Sequence, residues 1–115
     1  MLAGLFQAAL DDSRLRERKL PFEELSNLAT SRPKPVDAEL ALERTDRIRL
    51  IAEIKRASPS RGDLALIQDA AALGFGYQNA GADVISVLTE RTGFKGSLED
   101  LAEVSPATTI PTLRK

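Results

Sequence analysis

The chain contains neither cysteine nor histidine. Without cysteine there is no disulfide framework, no thiol chemistry and no thiolate metal site. Without histidine, the Ser–His and Cys–His nucleophile pairs and the usual zinc ligands are missing too. Acid–base chemistry therefore falls to Lys, Glu, Asp or the lone Tyr77. Aromatic residues make up only 4% of the chain, and the formal net charge is -1. With basic residues scattered among acidic ones, nothing in the composition favours nucleic acid or an anionic membrane as partner. No apolar run approaches the ~20 residues of a membrane span. Met1 to Leu10 has no basic leading region and no cleavage-type ending, so it does not read as a secretory signal. The expectation is a cytoplasmic protein with no nucleic-acid or membrane partner.

With 43% hydrophobic and 29% charged residues, the chain has an ordinary globular composition, and its 115 residues suffice for a modest core. Leu2, Leu5, Phe6 and Ala9 recur at helical spacing, and the charged run Asp11 to Lys19 extends that helix. Pro21 interrupts it and can open a second helix at its first position. There Glu23 and Glu24 suit the dipole, and Phe22, Leu25, Leu28 and Ala29 form the side expected to be buried. Ser31-Arg32-Pro33-Lys34-Pro35-Val36 holds two prolines and is a connector. A short helical turn follows around Asp37 to Leu42.

From Arg49 the period becomes that of a strand. Leu50, Ala52 and Ile54 share one face; Ile51, Glu53 and Lys55 share the other. After a turn-rich loop over 56–63, Ile67, Ala70, Ala71, Gly74 and Tyr77 make a helical stripe closed by Gly81. Asp83 to Thr89 is an almost wholly apolar strand, as one buried on both faces should be. Ser97 and Asp100 have capping-box spacing at the start of a further helix, Ser105-Pro106 marks a helix end, and Ile110 to Lys115 begins a third strand. Strands alternating with helices imply parallel pairing, hence an α/β fold. Gly74 and Gly76 stand oddly inside a helix, each costing about 1 kcal/mol relative to Ala. Gly74-Phe75-Gly76 begins like a dinucleotide fingerprint, but the third glycine and the preceding strand are missing.

Glu53 and Lys55 point the same way from their strand, ~6–7 Å apart along it. They read either as an exposed edge strand carrying a salt bridge or as an acid–base pair at the C-terminal edge of a parallel sheet, where α/β sites are built. The following loop, with Arg56, Ser58, Ser60, Arg61 and Gly62, reads either as a solvated turn or as a phosphate-binding segment.

Ile51-Ala52-Glu53-Ile54-Lys55-Arg56-Ala57-Ser58-Pro59-Ser60-Arg61-Gly62 resembles the first-strand signature of indole-3-glycerol phosphate synthases. Gly81 to Glu90 looks like that family's second strand, Phe94 to Leu101 like the loop and helix after it, and Ile110 to Lys115 like the opening of its third strand. The two leading helices and the proline-rich connector resemble the family's N-terminal extension. The resemblance implies a (β/α) TIM-type barrel, with residues 1–47 as helical extension and 48–115 as the first three strands and two helices.

It also implies a carboxy-lyase of tryptophan biosynthesis working without metal or organic cofactor. The family closes an indole ring on 1-(2-carboxyphenylamino)-1-deoxyribulose 5-phosphate, losing CO2 and then water. By position, Lys115 matches the lysine that acts as general acid on the substrate carbonyl. Lys55 matches a lysine that binds substrate anions and assists dehydration, and Glu53 matches the carboxylate that positions both ammonium groups. Ser58 and Phe94 match substrate-binding positions. A complete barrel takes ~250 residues, so the expectation is a truncated barrel, inactive by itself, with Lys115 frayed as the last residue. The alternative function is a non-catalytic fragment that associates with itself or with a complementary piece through open barrel edges. Ile51, Ile85, Val87 and Leu113 are then the barrel-facing residues expected to lie uncovered.

Overall fold

In a computed structural model, residues 2–115 are described. The chain divides into two compact units, residues 1–34 and 35–115, the break falling inside the proline-rich connector. The first unit holds α1 (Leu2–Lys19) and α2 (Phe22–Thr30). Arg16, Arg18 and Lys19 lie in the last turn of α1, where the dipole favours cations. Pro21 is the N-cap residue of α2, one position before the helical start expected for it.

Neither helix buries a residue. Phe22 is 73% exposed, and Leu25 and Leu28 are also exposed, so the apolar side expected to be buried faces outward. Neither apolar stripe is covered within this unit.

The second unit runs α3 (Ala38–Leu42), β1 (Ile51–Ile54), β2 (Ala57–Ser58), β3 (Gly62–Asp63), α4 (Ala70–Asn79), β4 (Val84–Val87), α5 (Leu98–Ala107) and β5 (Thr112–Arg114). The expected turn-rich loop over 56–63 is thus a small antiparallel hairpin, Ala57 opposite Asp63 and Ser58 opposite Gly62. The main sheet has three strands in the order β1-β4-β5, parallel throughout. Among the described residues it is open at both edges, a partial α/β fold without a closed barrel.

Helix ends follow the local chemistry. Asp37, Asp69 and Ser97 each cap a helix N-terminus by accepting a backbone N–H. Asp100 does not return the bond to Ser97 as a capping box would; its carboxylate is taken by Arg56. At the end of α4, Gly81 N–H bonds Gln78 O and Ala82 N–H bonds Tyr77 O, with Gly81 at φ 101, a Schellman arrangement only glycine adopts cheaply.

Register decides the faces. Ile51 stands beside Val84, Glu53 beside Ser86, and Ser86 beside Leu113, so these five share one face. Ile54, Ile85 and Val87 are on the other, sealed under α4 and α5 with Ala70 and Val104. Ile85 and Val87 are 0% exposed, so they are helix-facing and not uncovered barrel-facing residues as expected. A centrally placed strand is apolar on both sides, and its own alternation carries no phase. Ile51 and Leu113 are each 47% exposed, as expected.

The start of the sheet is joined by one carboxylate. Asp83, 8% exposed, accepts the Leu50 N–H at 2.8 Å and Arg49 Nη1 at 3.1 Å, and is paired with Arg47. Its backbone N–H in turn bonds Leu50 O at 2.8 Å. Arg49 Nε donates to Glu43 O at the end of α3. Among the described residues no helix is long and apolar enough to cross a membrane.

The two odd glycines separate. A Cβ on Gly74 would stand 2.9 Å from Val104 Cγ1, inside the α4–α5 contact, whereas one on Gly76 would meet nothing within 4 Å. Gly74→Ala is expected to destabilise by about 1–3 kcal/mol through overpacking. Gly76→Ala should stabilise by about 0.5–1 kcal/mol through helix propensity. Urea denaturation of the two variants checks the opposite signs.

Candidate active site

At the C-terminal end of the sheet, three charged side chains meet. Glu53 is the third residue of β1 and directs its carboxylate onto the face shared with Ser86 and Leu113. Lys55 follows one strand pitch later, just past β1, and Lys115 just past β5. Lys115 Nζ donates to Glu53 Oε2 at 2.9 Å, Lys55 Nζ lies 3.2 Å from Oε1, and Ser86 Oγ donates to Oε2 at 3.2 Å. One carboxylate thus holds two ammonium groups and a hydroxyl. Burial works against its charge, but hydrogen bonds from Lys115 and Lys55, with their charges, outweigh it and hold Glu53 below the usual carboxylate value.

Lys115 is not frayed. Its N–H bonds Val87 O at 2.9 Å and its carbonyl accepts Thr89 N–H at 2.7 Å, with Thr89 Oγ1 at 3.0 Å. The ladder with β4 continues through the last residue, which is why the side chain keeps its place.

Ser58 and Phe94 belong to two other segments. Both are half-buried, Ser58 in the β2–β3 hairpin and Phe94 in the loop after β4. Among the described residues, Ser58 makes no hydrogen bond to the Glu53 group. Backbone joins the two segments instead, Ala57 N–H donating to Phe94 O at 3.2 Å. A cavity of about 370 Å³ lies beside the hairpin, lined by Arg56, Asp63, Leu64, Ala65, Leu66 and Lys95. Glu53, Lys55 and Lys115 do not line it.

Arg56 is held chiefly by protein groups. Its Nε and Nη2 donate to Asp100 at 2.9 and 2.7 Å, and Nη1 to Ile67 O at 2.5 Å. Three of its five N–H donors are thus spent on protein groups, two of them tying the end of β1 to the start of α5. Pro59, Ser60 and Arg61 remain exposed. Among the described residues no group of three acidic, histidine or cysteine side chains could hold a metal ion.

Sequence reading missed Ser86, Asp83 and Glu90. Ser86 was findable as the one hydroxyl inside an otherwise apolar buried strand. Glu90 precedes Thr92-Gly93, a turn signal, and its carboxylate takes three N–H groups of that turn. Asp83 carried no such signal.

Two ammonium groups and a carboxylate thus meet at the C-terminal edge of parallel strands linked by helices, the edge where α/β folds carry their sites. Over residues 7–115 the chain matches the family model for indole-3-glycerol phosphate synthase. It is 48% identical to an indole-3-glycerol phosphate synthase of Leifsonia xyli subsp. xyli, across the whole chain and 44% of that protein. Similar proteins of the same name from Mycolicibacterium vanbaalenii and Mycolicibacterium smegmatis are 45% and 46% identical, with 42% of each covered. The chain belongs to the indole-3-glycerol phosphate synthase family, whose members are TIM barrels. It spans less than half the length of these curated relatives.

Because Glu53 is held below its ordinary value, its contribution to stability is complete above that value, about 4.3 for a free glutamate, and is lost as pH falls through the lowered folded value. Glu53→Gln should lower stability at neutral pH, where it leaves two ammonium groups facing each other. It should also flatten the loss of stability in acid. Urea midpoints between pH 7 and 3 measure both; an unchanged acid slope would count against the shared carboxylate.

Proposed function

We propose that this chain supplies the first- and third-strand part of an active site that forms indole-3-glycerol phosphate, in a cytoplasmic setting. Residues 1–47 are the helical extension and 48–115 the first three strands and two helices of the barrel. What carries the reading is the pair of lysines on one carboxylate, Lys115 at 2.9 Å and Lys55 at 3.2 Å from Glu53. The substrate is 1-(2-carboxyphenylamino)-1-deoxyribulose 5-phosphate.

In this reading Lys115 gives its proton to the substrate's carbonyl oxygen as the ring carbon bearing the carboxylate attacks the carbonyl carbon. The new C–C bond consumes the ring's π electrons, and breaking the C–CO2 bond returns a pair to restore aromaticity. The hydroxyl left on the former carbonyl carbon then takes a proton from Lys55 and departs as water, while an adjacent C–H proton passes to Glu53. Glu53 also limits the repulsion of the two ammonium groups and fixes their spacing. Ser58 and Phe94 contact the substrate, Phe94 as an aromatic wall.

Grafting residues 1–115 onto the remaining strands of the Leifsonia xyli relative tests the assignment. The chimera is expected to form indole-3-glycerol phosphate, and Lys115→Ala within it to lose ~10²–10³ in kcat. The 115-residue chain alone should form none above the buffer rate. Retained activity in the Lys115→Ala chimera would overturn the role given to that lysine.

A second reading rests on the exposed Ile51 and Leu113 and on the free edges of β1 and β5. Covering a few hundred Å² of such surface favours association by several kcal/mol at about 25 cal/mol per Å², and open edges supply backbone partners. The isolated chain is expected to self-associate through this face. Sedimentation across a dilution series reads this directly, and a monomer at every concentration would dismiss it.

A further inference from the structure

We propose that Glu90 is the positioning residue for both substrate-contacting loops. Its carboxylate folds residues 91–96, and through Phe94 that fold holds the hairpin bearing Ser58. The functional weight of the inference rests on the reading of Ser58 and Phe94 given above; the loop architecture stands on its own.

Glu90 follows β4 closely and is half-buried. Its Oε1 accepts Thr92 N–H at 2.8 Å, and Oε2 accepts Gly93 N–H at 2.7 Å and Phe94 N–H at 3.0 Å. Its carbonyl accepts Gly96 N–H at 2.9 Å. One residue therefore satisfies four backbone donors of the loop it opens. Charge-assisted bonds of this kind are about twice as strong as neutral ones. They outweigh burial, the largest influence on the group, and leave Glu90 below the usual carboxylate value.

The loop closes where only glycine fits. A Cβ on Gly96 would stand 1.9 Å from Leu88 O, and Lys95 before it turns through φ 52.

The backbone of Phe94 is the joint between the segments. Its N–H is spent on Glu90, while its carbonyl accepts Ala57 N–H at 3.2 Å. Ala57 is 2% exposed and opens β2, with Ser58 next in the chain. Among the described residues the other polar tie between loop and hairpin is Lys95 with Asp63, both mostly exposed, and an ion pair so placed is weak. The buried backbone bond therefore carries the alignment, and its acceptor stands where Glu90 puts it.

Amide exchange of the 115-residue chain at neutral pH tests this without substrate, so its outcome is separate from that of the chimera. In Glu90→Ala, exchange should accelerate about tenfold at Thr92, Gly93 and Phe94, the weight of one charged hydrogen bond. The same acceleration should appear at Ala57, which the Glu90 side chain does not touch. The sheet amides of Ile85 and Lys115 should stay within about twofold, below the weight of one ordinary hydrogen bond. Glu90→Gln, keeping one acceptor oxygen, should restore part of the protection at Phe94 and Ala57, and it serves alone where Glu90→Ala does not fold. Lys95→Met should leave Ala57 unchanged. Ala57 still protected while 92–94 loosen would overturn the proposal. So would equal acceleration at Ile85 and Lys115, which would make Glu90 a general stabiliser.

Discussion

Asp83 sits where β1 and β4 begin, and its backbone and side chain both hold Leu50. With Arg47 and Arg49 also on its carboxylate, the start of β4 cannot slide along β1 without leaving buried charge unpaired. The Leu50 N–H and the two guanidinium groups keep Asp83 below the ordinary carboxylate value. From that anchor the register runs forward, Ile51 beside Val84 and Glu53 beside Ser86. β5 then aligns on β4. The meeting of Glu53 with Lys115, far apart in sequence, is a consequence of this register.

The sheet has two electrostatic ends of opposite design. At the start, one acid is enclosed by two arginines and a peptide N–H, an arrangement that consumes its charge in holding backbone. At the other end, one acid is shared by two lysines that remain 37% and 58% exposed. An ammonium on a flexible stem, still reachable by solvent, keeps the freedom to meet a ligand; a guanidinium forked onto a buried carboxylate does not. Arg56 shows the second behaviour beside the first, since it follows Lys55 directly yet is locked to Asp100.

The helix-facing side of the sheet is a finished core, with Ile54, Ile85, Val87 and Val104 sealed. The opposite side is polar at its C-terminal end and partly uncovered at Ile51 and Leu113. Two layers suffice to bury one face of a three-stranded sheet; on the other, Val84 and Ser86 of the central strand are buried while Ile51 and Leu113 of the outer strands stay half-open. The apolar sides of α1 and α2 are likewise exposed.

Much was legible locally. Helix starts at Asp37 and Ser97, the Gly81 stop, the connector at 31–36 and the order of strands and helices follow from period, caps and breakers, which act over a few residues. Parity along β1 placed Glu53 and Lys55 on one side, and the family match supplied the remaining candidates. The faces of β4 were not legible, since an apolar strand buried on both sides has no phase of its own, and Ile85 and Val87 were assigned to the wrong one. Nor were the partners of Arg56, Asp83, Asp100 and Glu90. A charged residue's sequence neighbours say little about whether it will hold a ligand or a backbone; which groups lie within 3 Å is set by parallel pairing between distant segments. The sequence alone determined the elements and their order; tertiary register determined which charges meet, because hydrogen bonds and ion pairs act over ångströms while pattern acts along the chain.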